Sequence, residues 1–333
     1  MKIIIPMAGM GKRMRPHTLT IPKPLIRIAG KPIVQRLVEG IAAMCKEKIE
    51  EIAFVIGDFG KDIEEQLLNI ATQAGAKGKI YYQEIPQGTA HAILCAEKSL
   101  NDKIIIAFAD TLFFADFILD DSKDSIVWVH KVQNPGSFGV VKTDNNGIIT
   151  KIVEKPASFI SDLAIIGIYY FKNGLFLKQE LRYLIDNNIQ KNSEFQLTDA
   201  LENMTQKGMH LYVGKVNEWL DCGNKDATVH TNQRILKFSK KQELTATSAK
   251  VENSIIIQPC FLGENVKITN SIIGPHVSVG ENTVIDYSVI TNSIIQANTK
   301  ISCVNLDNSM IGNYVEYFGS KKEVSIGDYT VLS

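Results

Sequence analysis

Between Leu262 and Gly327 an aliphatic residue followed by a small or polar one recurs about every six positions. Leu262-Gly263, Ile273-Gly274, Val279-Gly280, Ile285-Asp286, Ile295-Gln296, Ile301-Ser302, Leu306-Asp307, Ile311-Gly312 and Ile326-Gly327 carry the pattern, with steps of five, six or their sums. One inward aliphatic residue per six cannot bury itself, so neighbouring units must stack and share a core, which is how a parallel β-helix forms. A β-sandwich would instead show apolar and polar residues alternating along each strand. The period therefore predicts a β-helix over 251–333, preceded by a polar, weakly patterned linker over 237–250.

The first 236 residues follow different rules and read as one separate domain; a chain of 333 residues has room for two. Short apolar runs at 2–5, 52–56, 79–83 and 104–108 predict buried strands, and amphipathic stretches at 33–45, 63–74 and 89–100 predict helices between them. Strands separated by helices imply an α/β fold, a Rossmann-like, mostly parallel sheet flanked by helices. Ligands of such sheets bind beyond the carboxyl ends of the strands. Further strands are predicted at 124–131, 139–143, 148–153 and 165–171, with Asn145-Asn146-Gly147 as a hairpin turn and a helix over 175–187.

Thirty-six Lys and Arg balance 36 Asp and Glu, a formal net charge of zero that speaks against a general nucleic-acid binder. The most apolar stretch, 104–119, is interrupted by Asp110 and Asp116 and is too short to span a bilayer. No signal peptide is legible, and the five scattered cysteines contain no CxxC pair. These features predict reduced thiols, no zinc site, no membrane partner and a cytoplasmic location.

Chemistry concentrates at Ala8-Gly9-Met10-Gly11-Lys12-Arg13, followed by Pro22-Lys23-Pro24-Leu25. Gly9 and Gly11 after a strand allow backbone N–H groups to approach a phosphate closely. Arg13 offers a planar fork and Lys23 a point charge for a polyphosphate. Neither the GxGxxG dinucleotide fingerprint nor a Walker A sequence is present.

With these segments the chain resembles the sugar-1-phosphate nucleotidyltransferases of the glucose-1-phosphate thymidylyltransferase and mannose-1-phosphate guanylyltransferase superfamily. Further motifs carry the resemblance in order: Gln83…Gly88-Thr89, Ala109-Asp110, Phe138-Gly139-Val140-Val141, Glu154-Lys155-Pro156, Gly167-Ile168-Tyr169, Glu194 to Asp199, and Trp219-Leu220-Asp221-Cys222-Gly223. The tail resembles that of longer members, whose hexapeptide coils are left-handed and associate, which implies a homo-oligomer.

The resemblance implies in-line attack of a sugar-1-phosphate oxygen on the α-phosphorus of a nucleoside triphosphate, with pyrophosphate leaving. Two anions react, so neutralisation and positioning dominate the catalysis. Asp110 and Asp221 are implied as Mg²⁺ ligands, Arg13 as the stabiliser of the leaving pyrophosphate, and Lys23 as the partner of the α-phosphate. Ala8, Gly9, Gly11, Gln83, Gly88 and Thr89 are implied to hold the nucleotide, with Gln83 and Gly88 at the base edge. Gly139, Glu154, Lys155 and Gly167 are implied to hold the sugar phosphate. The Gln83 spacing resembles pyrimidine-using members, which favours dTTP or UTP with glucose-1-phosphate. GTP with mannose-1-phosphate is the alternative.

Some positions depart from the pattern. Lys12 stands where Thr is usual, Ala109 where Gly is commoner, and Asn192 where a basic residue is frequent. Two rivals accompany the reading: a catalytically silent subunit that binds a nucleotide-sugar, and acetyl transfer by the coil with His276 as base. His91 reads as a packed helix residue.

Overall fold

The computed structural model describes residues 1–191, 193–239, 244–320 and 323–331. Its contacts divide the chain into two compact units, Met1–Ile26 with Pro32–Gly223, and Arg27–Lys31 with Asn224–Ser333. The seam thus falls ahead of the expected 236/237 boundary.

In chain order come β1 (Lys2–Pro6), a short ribbon β2 (Arg27–Ile28) and β3 (Lys31–Pro32), α1 (Ile33–Met44), β4 (Glu51–Ile56), α2 (Lys61–Gln73), β5 (Lys77–Tyr82) and α3 (Thr89–Cys95). Then follow β6 (Ile104–Ala107), β7 (Thr111–Phe114), β8 (Ser125–Lys131), β9 (Gly139–Thr143), β10 (Ile149–Glu154) and β11 (Leu163–Phe171). The chain continues with α4 (Gly174–Asp186), α5 (Leu197–Gln206), β12 (Leu211–Lys215) and β13 (Glu218–Asp221).

Every residue of β4 and β6 is buried, as continuous apolar strands covered on both faces should be. β1 pairs in parallel with β4 on one side and β6 on the other, and β5 extends the parallel run beyond β4. From β6 outward the sheet turns antiparallel, through β11 to β8 and β9. The sheet is therefore mixed: parallel where sequence periodicity was strongest, antiparallel where it was irregular. Because β1 has its successors on both sides, a crevice opens at its carboxyl end, the switch point where such sheets bind ligands.

One local expectation changes and another holds. The helix predicted over 89–100 breaks at Ala96 and gives way to a 3-10 turn at Glu97–Ser99. The hairpin at 145–147 forms as predicted, with Asp144 accepting the Asn146 and Ile148 amides at 2.9 Å each.

Besides β2, the described residues of the second unit form α6 (Lys225–Phe238) and thirteen further short strands, β14 (Lys250–Glu252) to β26 (Glu316–Phe318). The strands stack in three parallel sheets, the arrangement of a left-handed β-helix. Ile268, Ile285 and Ile301 lie in register and buried, and so do Ile273 and Ile290. Ile268 pairs with Ile285 and Ile285 with Ile301, so successive turns advance by 17 and then 16 residues, which explains the slipping period. Corners fall on left-handed residues such as Asn265, Asn282 and Asn298, whose side-chain amides link into a ladder at 3.1 and 3.3 Å.

Ile326 departs from the predicted pattern: it is half exposed, and no strand follows Glu316–Phe318 among the described residues. Of the predicted linker, Lys237 and Phe238 finish α6, Leu244 is buried, Thr245 bridges to Leu262, and Lys250 opens β14. Residues 240–243, which include the Lys240-Lys241 pair, lie outside the described residues, as does Asn192.

Candidate active site

The loop leaving β1 is shaped by Gly11, which takes φ +57° and opens a 3-10 turn over Lys12–Met14. A Cβ at Gly11 would sit 3.0 Å from the Lys23 Cβ, so only glycine lets the loop pack onto the segment that carries Lys23. The Thr18 hydroxyl fastens the turn by donating to the Gly11 carbonyl at 2.9 Å. Lys23 is buried, and its ammonium donates to the Asp110 carboxylate at 2.9 Å.

Asp110 ends the segment after β6, and Asp221 reaches it through an antiparallel ribbon in which Asp221 pairs with Thr111. The Cys222 N–H donates to the Asp110 carbonyl, and the Gly223 N–H to the Asp221 carboxylate, both at 2.9 Å. Burial, and then the Asp110 charge, push the Asp221 carboxyl above its ordinary pKa; Lys23, the Gly223 amide and Arg13 offset only part of this. Arg13 reaches over the same place: its Nη2 lies 3.4 Å from where a Cβ on Gly223 would be. Among the described residues no cluster of three or more His, Cys, Asp or Glu is found.

These groups border a cavity of about 630 Å³ walled by Ala8 to Arg13, Lys23, Gln83, Gly88, Thr89 and Asp110. That is a size suited to one small organic ligand. Asp221 lies just behind its Gly223 wall. Gln83 is buried, and its amide nitrogen donates to the Gly88 carbonyl at 3.2 Å and meets His91 Nδ1 at 3.1 Å. Gly88 has φ +105°, and a Cβ there would strike the Phe195 carbonyl oxygen at 2.5 Å. Thr89 turns its hydroxyl inward to accept the Leu197 N–H at 2.9 Å, so it anchors the wall in addition to facing the cavity.

A second cavity of about 180 Å³ shares Thr89 and Phe108 with the first and is lined by Gly139, Glu154, Tyr169 and Thr198. The Glu154 carboxylate folds over Gly139, where a Cβ would come within 2.9 Å of it. Burial raises the Glu154 carboxyl above the ordinary range, and Lys155 opposes this only in part. Lys155 itself, at φ 42°, is mostly exposed, 3.9 Å from Glu154, and outside both cavity walls. Gly167 does not reach the wall either: it sits behind Phe108, whose N–H donates to its carbonyl at 3.0 Å.

Several wall residues were not singled out from sequence. Glu194 lines the larger cavity, and Gln196 and Thr198 the smaller. The Thr198 hydroxyl is buried without a hydrogen-bond partner. The Glu194–Asp199 motif was the available signal; α5 is capped at Gln196, which places Thr198 and Asp199 inside its first turn.

Comparison with known proteins agrees with this geometry. Residues 2–237 match the Nucleotidyl transferase family. The chain belongs to that family. It is 28% identical over 265 residues to the low-salt glycan biosynthesis nucleotidyltransferase Agl11 of Haloferax volcanii, covering 77% of this chain and 72% of the relative. It is 31% identical over 264 residues to the bifunctional protein GlmU of Methanococcus maripaludis, covering 77% of this chain and 59% of the relative. The match therefore spans somewhat over half the length of the GlmU proteins. A solved UDP-glucose pyrophosphorylase in complex with UDP-glucose superposes with a TM-score of 0.59 at 26% identity, covering 72% of this chain and 99% of that one. Within this nucleotidyl transferase the matched segment holds both cavities.

Proposed function

We propose that the chain is an enzyme transferring a nucleotidyl group from a nucleoside triphosphate to a sugar-1-phosphate, releasing pyrophosphate and giving a nucleotide-sugar. The observation that carries this is the pair of adjoining cavities: a larger one edged by Gly9, Gly11, Arg13 and Lys23, and a smaller one holding Glu154 and the unpartnered Thr198 hydroxyl. The family match and the sugar-nucleotide chemistry of its relatives support it.

Asp110 and Asp221 fit a divalent cation. They are two hard oxygen donors brought to one place by the β7–β13 ribbon, with no third acidic, histidine or cysteine partner among the described residues. Such a set suits Mg²⁺, which keeps waters and substrate oxygens as its other ligands. The ion would supply charge neutralisation at the phosphates.

The chain's own groups do the rest. Glycine-loop amides seat the triphosphate, Arg13 neutralises charge that grows on the leaving pyrophosphate, and Lys23 steadies Asp110 while facing the α-phosphate. Glu154 accepts hydrogen bonds from sugar hydroxyls. No general base is required, because a phosphate monoester is largely ionised at neutral pH.

UTP or dTTP with glucose-1-phosphate is the favoured pair, since Gln83 faces the base with an acceptor; guanine also offers a ring N–H, so GTP with mannose-1-phosphate is the second reading. Retention of Arg13, Lys23, Asp110 and Asp221 around one cavity weighs against a silent subunit. Association through the coil and a cytoplasmic location belong to the same proposal; no described helix is long and apolar enough to cross a membrane. The test is pyrophosphate release over a grid of four triphosphates and several sugar-1-phosphates with Mg²⁺. One productive pair, abolished by Asp110→Asn, supports the proposal; silence over the grid, with nucleotide-sugar still bound, overturns it in favour of the regulatory reading.

A further inference from the structure

We infer that His91 is a positioning residue for base choice: it locks the Gln83 amide so that only the carboxamide oxygen is left to read the nucleobase. The inference rests on the nucleotidyl-transfer reading of the larger cavity and deepens it.

Gln83 is buried at the wall of that cavity, directly after β5. Its amide nitrogen has two protons, and the protein offers two acceptors for them: the Gly88 carbonyl at 3.2 Å and the Nδ1 atom of His91 at 3.1 Å. The Gly88 contact sets the orientation of the group, since turning the amide over would press two carbonyl oxygens together. The Gly88 carbonyl cannot give way, because the backbone of that residue is packed on Phe195. With both protons used, Gln83 presents an acceptor and no donor.

The second contact requires a neutral imidazole whose Nδ1 carries a lone pair and whose proton sits on Nε2. Burial lowers the His91 pKa and so favours that neutral ring. His91 lies in the first turn of α3 and is not part of the cavity wall, whereas its neighbour Ala92 is. It therefore acts through Gln83 and not on the substrate.

The consequence is a filter on the base. Uracil and thymine carry a ring N–H at position 3, and guanine one at position 1, each a donor for the Gln83 oxygen. Cytosine and adenine place a lone pair at the corresponding ring nitrogen and would face oxygen to nitrogen, acceptor to acceptor. An alternative with the opposite preference needs either the flipped amide, which the Gly88 carbonyl opposes, or a free amide proton, which His91 takes up.

UTP and CTP isolate this term, because the two bases differ only in that donor–acceptor edge. The measurement is kcat/KM for each with the sugar-1-phosphate that works best; if GTP is the working triphosphate, GTP and ATP replace them. His91→Leu removes the acceptor and is expected to lower the preference for UTP about three- to tenfold, the worth of one neutral hydrogen bond. His91→Asn, whose carbonyl oxygen can take the place of Nδ1, is expected to restore most of it. An unchanged ratio in a His91→Leu protein that is folded and turns over UTP overturns the inference. A second readout needs neither folding of a variant nor turnover: nitrogen-15 NMR of the wild-type histidine ring is expected to show the Nε2–H tautomer, and an Nδ1–H tautomer overturns the inference. Absence of turnover with every triphosphate would be a failure of the nucleotidyl-transfer reading, and the tautomer would still decide the role of His91.

Discussion

The Lys23 ammonium and the Asp110 carboxylate meet at 2.9 Å across 87 residues of chain, with Lys23 buried and Asp110 open to the cavity. The pair joins the loop after β1 to the segment after β6, the two strand ends that flank the switch point of the sheet. Removing either partner leaves the other without its opposite charge at the place where phosphate charge must be balanced. Lys23→Met and Asp110→Asn are each expected to lower kcat by roughly a hundredfold or more, the scale seen when one oriented electrostatic contact to a reacting centre is lost. Steady-state pyrophosphate release, with circular dichroism to confirm folding, checks this.

Gly88 offers a sharper steric test. Its φ of +105° and the 2.5 Å approach to the Phe195 carbonyl leave no place for a methyl group. Gly88→Ala should cost on the order of 1–3 kcal/mol in stability from backbone strain. It should also raise the triphosphate KM more than the sugar-phosphate KM, because the displaced segment walls the larger cavity. A melting curve and the two KM values read the two effects separately.

Glu154 supplies a pH signature. Burial raises its carboxyl, so it takes up a proton at a higher pH than an ordinary glutamate. On the proposed reading the carboxylate accepts from sugar hydroxyls, and protonation removes part of that capacity. The KM for the sugar phosphate is therefore expected to rise as pH falls from neutral through the weakly acidic range. Glu154→Gln should have a raised KM at neutral pH and a flatter profile. The substrate phosphate also gains a proton as pH falls, and the variant serves as its control.

Glu51 tests the far end of the sheet. Burial pushes its carboxyl up, but hydrogen bonds from Lys79, at 2.6 Å, and from Ser99 more than offset this and hold its pKa below the ordinary value. A carboxyl lowered by folding adds stability that is fully present above its unfolded pKa, near 4.3, and is lost as pH falls through the folded value. Glu51→Gln is expected to destabilise by about 1 kcal/mol at neutral pH, since it weakens a charge-assisted contact to the half-buried Lys79 and disturbs the buried Ser99 hydroxyl. The gap to wild type should close in urea titrations below about pH 4.

What could be read beforehand followed the strength of the local signal. The coil was legible because Ile273, Val279, Ile285, Ile295 and Ile301 each fill one buried position of a repeating cross-section. Ile326 satisfied the same pattern and failed, since periodicity does not show whether a neighbouring coil exists to cover it. Among the helices, α6 was not expected: it is held against segments distant in sequence, as when Asn232 bonds Ala29 and Ser278. In the site, Gly11 and Lys23 stood out by chemical type, and Asp110 and Gln83 by the motifs that carry the resemblance. Phe108 and Thr198 did not, because a wall residue is defined by the sheet that presents it. Lys155 and Gly167 were named from a motif, and a motif carries neither the outward turn at φ 42° of the one nor the Phe108 ring in front of the other.

The central claim is attack at the α-phosphorus, and following that atom tests it most directly. UTP labelled at the α-phosphate is incubated with glucose-1-phosphate, Mg²⁺ and the full chain, and with the other triphosphates in parallel. The account predicts that the label passes into a nucleotide-sugar while unlabelled pyrophosphate appears in equal amount, and that Asp221→Asn blocks both. Label that stays in the triphosphate in every reaction, or leaves only as free nucleoside monophosphate, would contradict it.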